Sequence, residues 1–328
     1  MEKKNENSSS PLSTEDVLGF CATLALVKVH FDILQMILAD PEKENSGQKP
    51  YEMKSSDIKI DNYIITSEKI GEGSYGQVFK AYRAGTSNLF VAKQQEVTKI
   101  AESEIMALRF LANKEFVVRL IDVLYKEEKV FTVMEYCNQG SLRDILLKKQ
   151  TIPEEDAIQI IEYIATLFYL VNKENNGMEI IHRDLKPENL LFHNGQLKIG
   201  DWGLAKFHFS FNKGFSTSKD LNKYFAFCGS RDYVSPELES GNHYDSKTDV
   251  YSTGIILAEC VGIKNLGYPL EDPLFEKFSP RFKYLLQHML EINPKNRFSW
   301  GDICENSPNM LNLGPIFCVK GVKFSFLS

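Results

Sequence analysis

Asp184 lies in the run His182-Arg183-Asp184-Leu185-Lys186-Pro187-Glu188-Asn189, and Asp201-Trp202-Gly203 begins twelve residues after Asn189. A carboxylate beside a lysine and an amide, with a second carboxylate ahead of a glycine, supplies a base, a phosphate clamp and hard oxygen donors for a divalent metal. Phosphoryl transfer asks for those parts, because its chemistry rests on positioning and on neutralising negative charge. A second group lies upstream, where Gly71-Glu72-Gly73-Ser74-Tyr75-Gly76-Gln77-Val78 has G-x-G-x-x-G-x-V spacing. The dinucleotide fingerprint shares that spacing but opens a helix. Here Gln77–Arg83 reads as a strand, so the turn is a hairpin lid whose backbone N–H groups can face phosphates and whose glycines allow close approach. Taken alone, the pattern equally suits an ordinary tight hairpin. Val91-Ala92-Lys93 closes the next apolar run. A cation at Lys93 can reach back under the lid if an anion holds it; Glu104 is the candidate and Glu102 the runner-up. A single lysine is far more commonly a solvated surface charge.

These groups need a scaffold. A chain of 328 residues can build one large core or two ordinary ones, and its 43% hydrophobic and 25% charged content fit a globular protein. A net charge of -6 argues against nucleic acid as an obligatory partner. Six scattered cysteines without C-x-x-C spacing argue against zinc and disulfide frameworks. They read as reduced thiols, mostly small buried hydrophobes, in a cytoplasmic or nuclear protein. No membrane span is expected: no run reaches the roughly 18 apolar residues required. Val17 to Val27 is broken by Lys28, His30 and Asp32, and starts too far in for a signal peptide.

Residues 1–12 are polar and Ser-rich, which predicts a disordered tail. Residues 13–39 predict an amphipathic helical extension, capped at Ser13 and closed by Pro41, with Val17, Phe20, Leu24, Val27, Phe31, Leu34 and Leu38 on one stripe. That stripe is either a coiled-coil seam for self-association or a face docked on its own domain, with autoregulation as a further role; docking is preferred, since three heptads are the minimum for a coiled coil. Residues 40–56, with Pro41, Gly47 and Pro50, read as a linker. Strands are expected at Tyr63–Ile70, Gln77–Arg83, Leu89–Lys93, Val117–Leu124 and Lys129–Glu135, with a helix at 98–113. After Gly140 the chain turns helical, and Pro153 with Glu154, Glu155 and Asp156 starts a helix whose periodicity runs to Val171. Strands followed by helices imply an α+β, two-lobed architecture with a cleft at the changeover.

The Gly-rich turn, Val91-Ala92-Lys93, Glu104, His182 to Asn189, Asp201-Trp202-Gly203, Ser235-Pro236-Glu237, Asp249 and Arg297 stand in one order. In that order, over residues 57–305, the chain resembles the eukaryotic protein kinase family, serine/threonine type. The resemblance implies a bilobal protein-kinase-like fold: a small β-rich N-lobe with one helix (57–134), a hinge (135–140), a larger, mainly helical C-lobe (141–305) and a C-terminal tail (306–328). It implies Mg-ATP-dependent transfer of the γ-phosphate to protein Ser/Thr hydroxyls, with Mn2+ as an alternative metal. By the same resemblance Lys93, clamped by Glu104, holds the α- and β-phosphates; Asp184 orients the acceptor hydroxyl and takes its proton; Lys186 neutralises the γ-phosphate in flight. Asn189 and Asp201 ligate the metal. Gly71, Gly73 and Gly76 cover the phosphates, and Val78, Ala92 and Leu191 sandwich adenine. Met134 stands as gatekeeper, with Glu135 to Cys137 as the hinge that pairs with adenine. Glu237 and Arg297 form a buried pair, and Asp249 anchors the catalytic loop. Lys186, two after Asp184, and Gly229-Ser230 are of the Ser/Thr kind, and the Ser230 hydroxyl can bond Asp184 and Lys186.

The chain departs from the family pattern in places. Trp202 replaces the usual Phe and is expected to stack with His182, Leu108 and Leu120, biasing its loop inward. Eleven residues before Glu237, where the family carries its activating phosphate, stands Ala226, although Arg183 is kept. Either the enzyme is active without that phosphate, the preferred expectation, or Ser216, Thr217, Ser218 or Tyr224 substitutes. Tyr251 stands for a Trp, and Glu259 to Asn293 is short. Ile316 to Leu327 is apolar without strict period and is expected to pack on the helical lobe, at a place the sequence does not give. Competing functions are a pseudokinase scaffold or interaction module and a small-molecule phosphotransferase. Lys93, Glu104, Asp184, Asn189 and Asp201 all retain their chemistry, which argues against the first. Ser-Pro-Glu and Ser230 argue against the second, because they shape a groove for peptide.

Overall fold

A computed structural model describes residues 49–73, 76–175, 178–209, 230–306 and 324–327. The predicted tail 1–12, the helix 13–39, the first part of the linker, and Ser216, Thr217, Ser218, Tyr224, Ala226 and Cys228 lie outside the described residues. The apolar runs after residue 57 form a six-stranded sheet of β1 (Ile58–Ile60), β2 (Tyr63–Gly73), β3 (Gly76–Arg83), β4 (Leu89–Glu96), β5 (Leu120–Lys126) and β6 (Lys129–Glu135), ordered β1-β2-β3-β4-β6-β5. Tyr63, Ile65, Ala81, Phe90, Ala92, Leu124, Phe131 and Val133 make its own small core. β1 was not expected, because three residues are too few to display a period of two. The register fixes the site residues: β3 and β4 pair antiparallel with Val78 opposite Lys93, and β4 and β6 pair with Val91 opposite Met134.

Helix α1 (Lys99–Phe110) starts where the Thr98 hydroxyl accepts from the Ala101 N–H at 3.3 Å. It buries Ala101, Glu104, Ile105, Ala107 and Leu108 on one face, so a carboxylate points inward among apolar neighbours. Ahead of the sheet, the stretch expected as linker lies against it. Tyr51 stacks on Tyr82 at 4.1 Å with planes 3° apart, and its hydroxyl donates to Asp57 at 2.9 Å. Asp57 also accepts from the N–H groups of Lys54 and Ser67. Pro and Gly mark where a chain turns; they do not register a tyrosine that finds an aromatic partner.

The helical half follows with α2 (Leu142–Lys149), α3 (Glu154–Glu174), β7 (Met178–Ile181), β8 (Leu190–His193), β9 (Gln196–Ile199), β10 (Lys206–Phe209), α4 (Pro236–Glu239), α5 (Lys247–Cys260), α6 (Pro280–Met289) and α7 (Trp300–Glu305). Ser141 and Asp144 cap α2 reciprocally, and three acids in the first turn of α3 suit its dipole. Most of α5 is buried, so it is the post around which this half is built. β8 pairs with β9 and β7 with β10, framing the loop 182–189. Between α5 and α6 only two 3-10 turns, Pro269–Glu271 and Phe275–Lys277, stand where the sequence runs short. A parallel bridge from Val117 to Ile199, with the Val118 N–H on the Ile199 carbonyl at 3.0 Å, joins the halves. The result is an α+β, two-lobed fold. The apolar end of the chain has a definite place: Phe324 and Phe326 are buried edge-on against Phe192 at 5.5 and 5.6 Å, and Lys149 Nζ donates to the Phe326 carbonyl at 2.6 Å.

Candidate active site

The loop between β7 and β8 is held from below by α5. Asp249, fully buried, accepts from the N–H of His182 at 2.6 Å and of Arg183 at 2.8 Å. Burial pushes its carboxyl up to about 7, against those two N–H groups, which favour the charged form. Arg183 is thereby fixed at a φ of 65°, a region costly for a long side chain. Its guanidinium bonds the Leu204 carbonyl at 2.6 Å and the Tyr244 hydroxyl at 3.0 Å. His182 faces the Gly200 carbonyl through Nε2 at 2.9 Å, and Nδ1 accepts from the Asp184 N–H at 3.3 Å. That pattern assigns the neutral tautomer with its proton on Nε2, and burial lowers the pKa accordingly.

Asp184 is gripped at both carboxylate oxygens. Oδ2 receives Lys186 Nζ at 2.8 Å and Asn189 Nδ2 at 3.3 Å; Oδ1 receives the Ser230 N–H at 3.0 Å and its hydroxyl at 3.3 Å. Lys186 Nζ also reaches Ser230 Oγ at 2.9 Å, and Asn189 Nδ2 donates to the Asp184 carbonyl at 2.8 Å. Asp184, Lys186 and Ser230, in the segment ahead of Pro236, therefore form one network.

The second network crosses between lobes. Lys93 Nζ bonds both oxygens of Glu104 at 2.9 Å and Asp201 Oδ1 at 2.7 Å. Glu104 is 1% exposed, whereas Glu102 lies on the open side of α1, so the runner-up is not the partner. Burial works against the Lys93 charge, yet Glu104 and Asp201 hold its pKa above the usual lysine value. Burial pushes Glu104 up, and Lys93 overcomes burial to hold Asp201 below the usual carboxylate range. Asp201 itself sits at a φ of 53°, turning its carboxylate out of β9 ahead of the Trp202–Leu204 turn.

Trp202 is wholly buried, its Nε1–H donating to the Ile199 carbonyl at 3.1 Å. Its ring lies 4.5 Å from His182 but tilted by 56°, so the expected stack is an inclined contact; the indole N–H fixes the ring plane toward Ile199. Leu108 and Leu120 share the same core. Beside the cleft between the lobes, Gly76 has a φ of 155°, and a Cβ there would lie 2.6 Å from the Gln94 carbonyl and 2.7 Å from the Gln95 side chain; only glycine fits. Among the described residues a Cβ on Gly73 would meet nothing within 4 Å, and one on Gly71 only Val78 at 3.7 Å. Ala92 is buried in β4 opposite Val133, Met134 is buried in β6, and Val78 and Leu191 are half-buried. The Glu135 side chain is engaged by the Arg119 N–H at 2.7 Å and Lys198 at 3.2 Å, and its own N–H donates to the Arg119 carbonyl at 3.0 Å. Cys137 is half-buried and its thiol is pushed up to about 12 by burial, then by Glu135, which makes it an inert thiol.

Asn189, bonded to Asp184, and Asp201, bonded to Lys93, offer hard oxygen donors, the kind a Mg2+ ion takes from a protein when it keeps other positions for phosphate and water. Deeper in the helical lobe, Arg297 forks onto Glu237 at 2.6 and 2.9 Å and stands 5.0 Å over the Tyr251 ring. Two further features were not placed from the sequence. One is the cluster that Arg143 forms with Glu188, Tyr233 and Glu259; the other is the docking of Phe324 and Phe326. Both join residues remote in the chain, which spacing along the sequence does not bring together.

Residues 64–307 match the family model described as Protein kinase domain. The chain is 31% identical over 274 residues to serine/threonine-protein kinase atg1 of Dictyostelium discoideum, covering 74% of this chain and 38% of that protein. It is 27% identical over 289 residues to serine/threonine-protein kinase DCLK3 of Homo sapiens, covering 79% and 42%. It is 28% identical over 267 residues to serine/threonine-protein kinase ULK3 of Xenopus laevis, covering 74% and 54%. The chain thus spans between about a third and just over half the length of these curated relatives. With the family model matched over most of its length, and with the two networks above in the cleft between its lobes, this chain belongs to the protein kinase family.

Proposed function

We propose that the chain is a Mg-ATP-dependent serine/threonine protein kinase. The observation that carries this is the convergence of Lys93, Glu104 and Asp201 across the cleft, beside Asp184 already bonded to Lys186 and Ser230. Lys93 is held charged where the α- and β-phosphates of the nucleotide would lie, and Glu104 keeps it from collapsing onto the sheet. Asp184 orients the Ser or Thr hydroxyl of the acceptor and takes its proton as the new P–O bond forms and the bond to ADP breaks. Lys186 offsets the charge of the phosphoryl group in transit. Asn189 and Asp201 would hold the metal, which neutralises the triphosphate. Ser230 narrows the slot beside Asp184.

Among the described residues no helix is long and apolar enough to cross a membrane. Cys137, Cys260 and Cys304 are free thiols, which supports a reducing compartment, the cytoplasm or nucleus. Activity without a phosphate near residue 226 is the preferred reading, supported by the Trp202 contacts. Mg2+-dependent incorporation of phosphate into a generic Ser/Thr acceptor tests the central claim. Asp184→Asn is expected to lower kcat by about 10²–10⁴-fold while nucleotide binding persists. Nucleotide binding by wild type with no transfer to any acceptor would instead mark a pseudokinase.

A further inference from the structure

Arg143 stands in the first turn of α2, far in sequence from everything it touches. Its Nε donates to Glu188 at 2.8 Å, and Nη1 and Nη2 fork onto Glu259 at 2.5 and 3.3 Å. Nη2 also donates to the Tyr233 hydroxyl at 2.7 Å, and that hydroxyl donates to Glu259 at 2.6 Å. Every edge of the guanidinium is used, in the planar geometry that suits carboxylates. The cluster is not sealed: the side chains of Arg143, Glu188 and Glu259 are 24%, 44% and 20% exposed.

The place of the cluster gives it meaning. Glu188 adjoins Asn189, whose amide holds Asp184, and Tyr233 lies three residues past Ser230, which holds Asp184 from the other side. Both chain segments that touch Asp184 therefore lead into the cluster, one after a single residue and the other after three, at no more than about 3.6 Å of backbone per residue. A polypeptide whose hydroxyl sits on Asp184 passes within reach. Without Arg143, two carboxylates and a phenol would ring a half-open slot, which is a receptor for an arginine side chain. With Arg143 in it, an incoming arginine meets donors instead of acceptors.

We infer that Arg143 is an internal counter-ion occupying an arginine slot beside the catalytic base, so that this chain selects acceptor segments without a basic side chain at the residue reaching that slot. The inference rests on the kinase reading and deepens it. Lysine at position 143 would not replace it, because a single ammonium cannot span Glu188, Glu259 and Tyr233 at once.

A peptide array on the full chain tests this, with Arg, Glu or Ala placed in turn at each of the four positions on either side of a Ser acceptor. Wild type is expected to favour Arg over Ala less than about threefold at every position. Arg143→Ala is expected to gain at least tenfold in kcat/KM for Arg over Ala at one position, mainly through KM. Arg143→Ala/Glu188→Gln is expected to lose most of that gain. Arg143→Met, which keeps the aliphatic stem, serves if the alanine variant does not fold. A folded, active Arg143 variant without gained arginine selectivity overturns the inference, as does a wild type already selecting Arg tenfold. Absence of transfer to every peptide by wild type removes the kinase reading itself, whereas transfer with unaltered selectivity in the variants removes only the role of Arg143.

Discussion

Trp202 and His182 touch in the core beneath the catalytic loop, and each carries a prediction. The Ile199 carbonyl that receives the indole N–H also accepts from the Val118 N–H, so Trp202→Phe strands no buried acceptor; its cost is lost contact, about 1–3 kcal/mol by denaturant unfolding. If the indole holds Asp201 toward Lys93, basal activity falls as well, by about tenfold for each ~1.4 kcal/mol taken from the inward state. Unchanged basal activity would remove Trp202 from that role. His182 and Asp249 pull stability in opposite directions as pH falls. Burial lowers the His182 pKa below 6.5, so under that pH the unfolded chain binds a proton the folded one refuses, and stability drops with acid. Asp249, raised from 3.8 to about 7, binds its proton first in the folded state, and that stabilisation grows as pH falls through 7. Asp249→Asn removes the second effect, so its unfolding free energy should decline more steeply than that of wild type between about pH 7 and 5, approaching ~1.4 kcal/mol per pH unit. A variant with the same pH slope as wild type would refute the opposition. The types of Asp184, Lys186, Asn189 and Asp201 made their chemistry readable from the chain, because few other side chains can do it. The tilt of Trp202 and the left-handed backbone of Arg183 were not readable, since both are set by neighbours distant in sequence.

At the level of elements, legibility followed length and local chemistry. α3, with Pro153 and three acids ahead of a long apolar stripe, announced itself, and β6 fell where its apolar run lies. Helix α1 stops at Phe110, short of the expected residue 113: the Leu111 N–H makes the last i→i−4 bond, to Ala107, and the Ala112 and Lys114 N–H groups then close i→i−3 turns on Arg109 and Leu111 before the chain leaves for β5. The docking of residues 49–56 escaped, and for Phe324–Leu327 the helical lobe was legible but not the place on it, since neither segment has a period and each is defined by the aromatic ring it meets. Phe324 and Phe326 lie against Phe192, whose N–H and C=O bond Gly140 and Gln139 at the end of the hinge, so this strap braces the strand that also carries Leu191. Phe324→Ala and Phe326→Ala should each cost up to about 3 kcal/mol. The pair together should cost no more than deletion of residues 324–328, because once the strap detaches nothing further is lost. Additive losses exceeding the deletion would show that the two rings act elsewhere in the fold. A raised KM for ATP in the deletion, with kcat little changed, would place the effect on the hinge.

The two lobes come together as the unit on which a ligand acts. Lys93 and Glu104 come from the sheet and α1, whereas Asp184, Asn189 and Asp201 come from the helical half, so the charge pattern exists only when both halves are folded and closed on each other. A nucleotide and metal engaging that pattern bind the folded state alone and must stabilise the whole chain. At about one hundred times Kd the gain is ~2.7 kcal/mol, which for a domain of this size corresponds to a rise in Tm of roughly 5–10 °C. The increment due to Mg2+ should vanish in Asp201→Asn, which keeps a side-chain oxygen but not the charge the cation needs. The Asp201→Asn protein should be close to wild type in its own melting, since Asp201 is only partly buried and Lys93 keeps Glu104 as its partner. Lys93→Met should behave differently. It leaves Glu104 buried without a counter-charge, a loss of about 3–5 kcal/mol from a broken buried pair, and it weakens nucleotide stabilisation with or without metal. Thermal unfolding of the three proteins with and without ATP and Mg2+ separates these contributions. Equal stabilisation of wild type and Asp201→Asn by ATP with Mg2+ would mean that the nucleotide settles somewhere other than the cleft between Lys93 and Asp201.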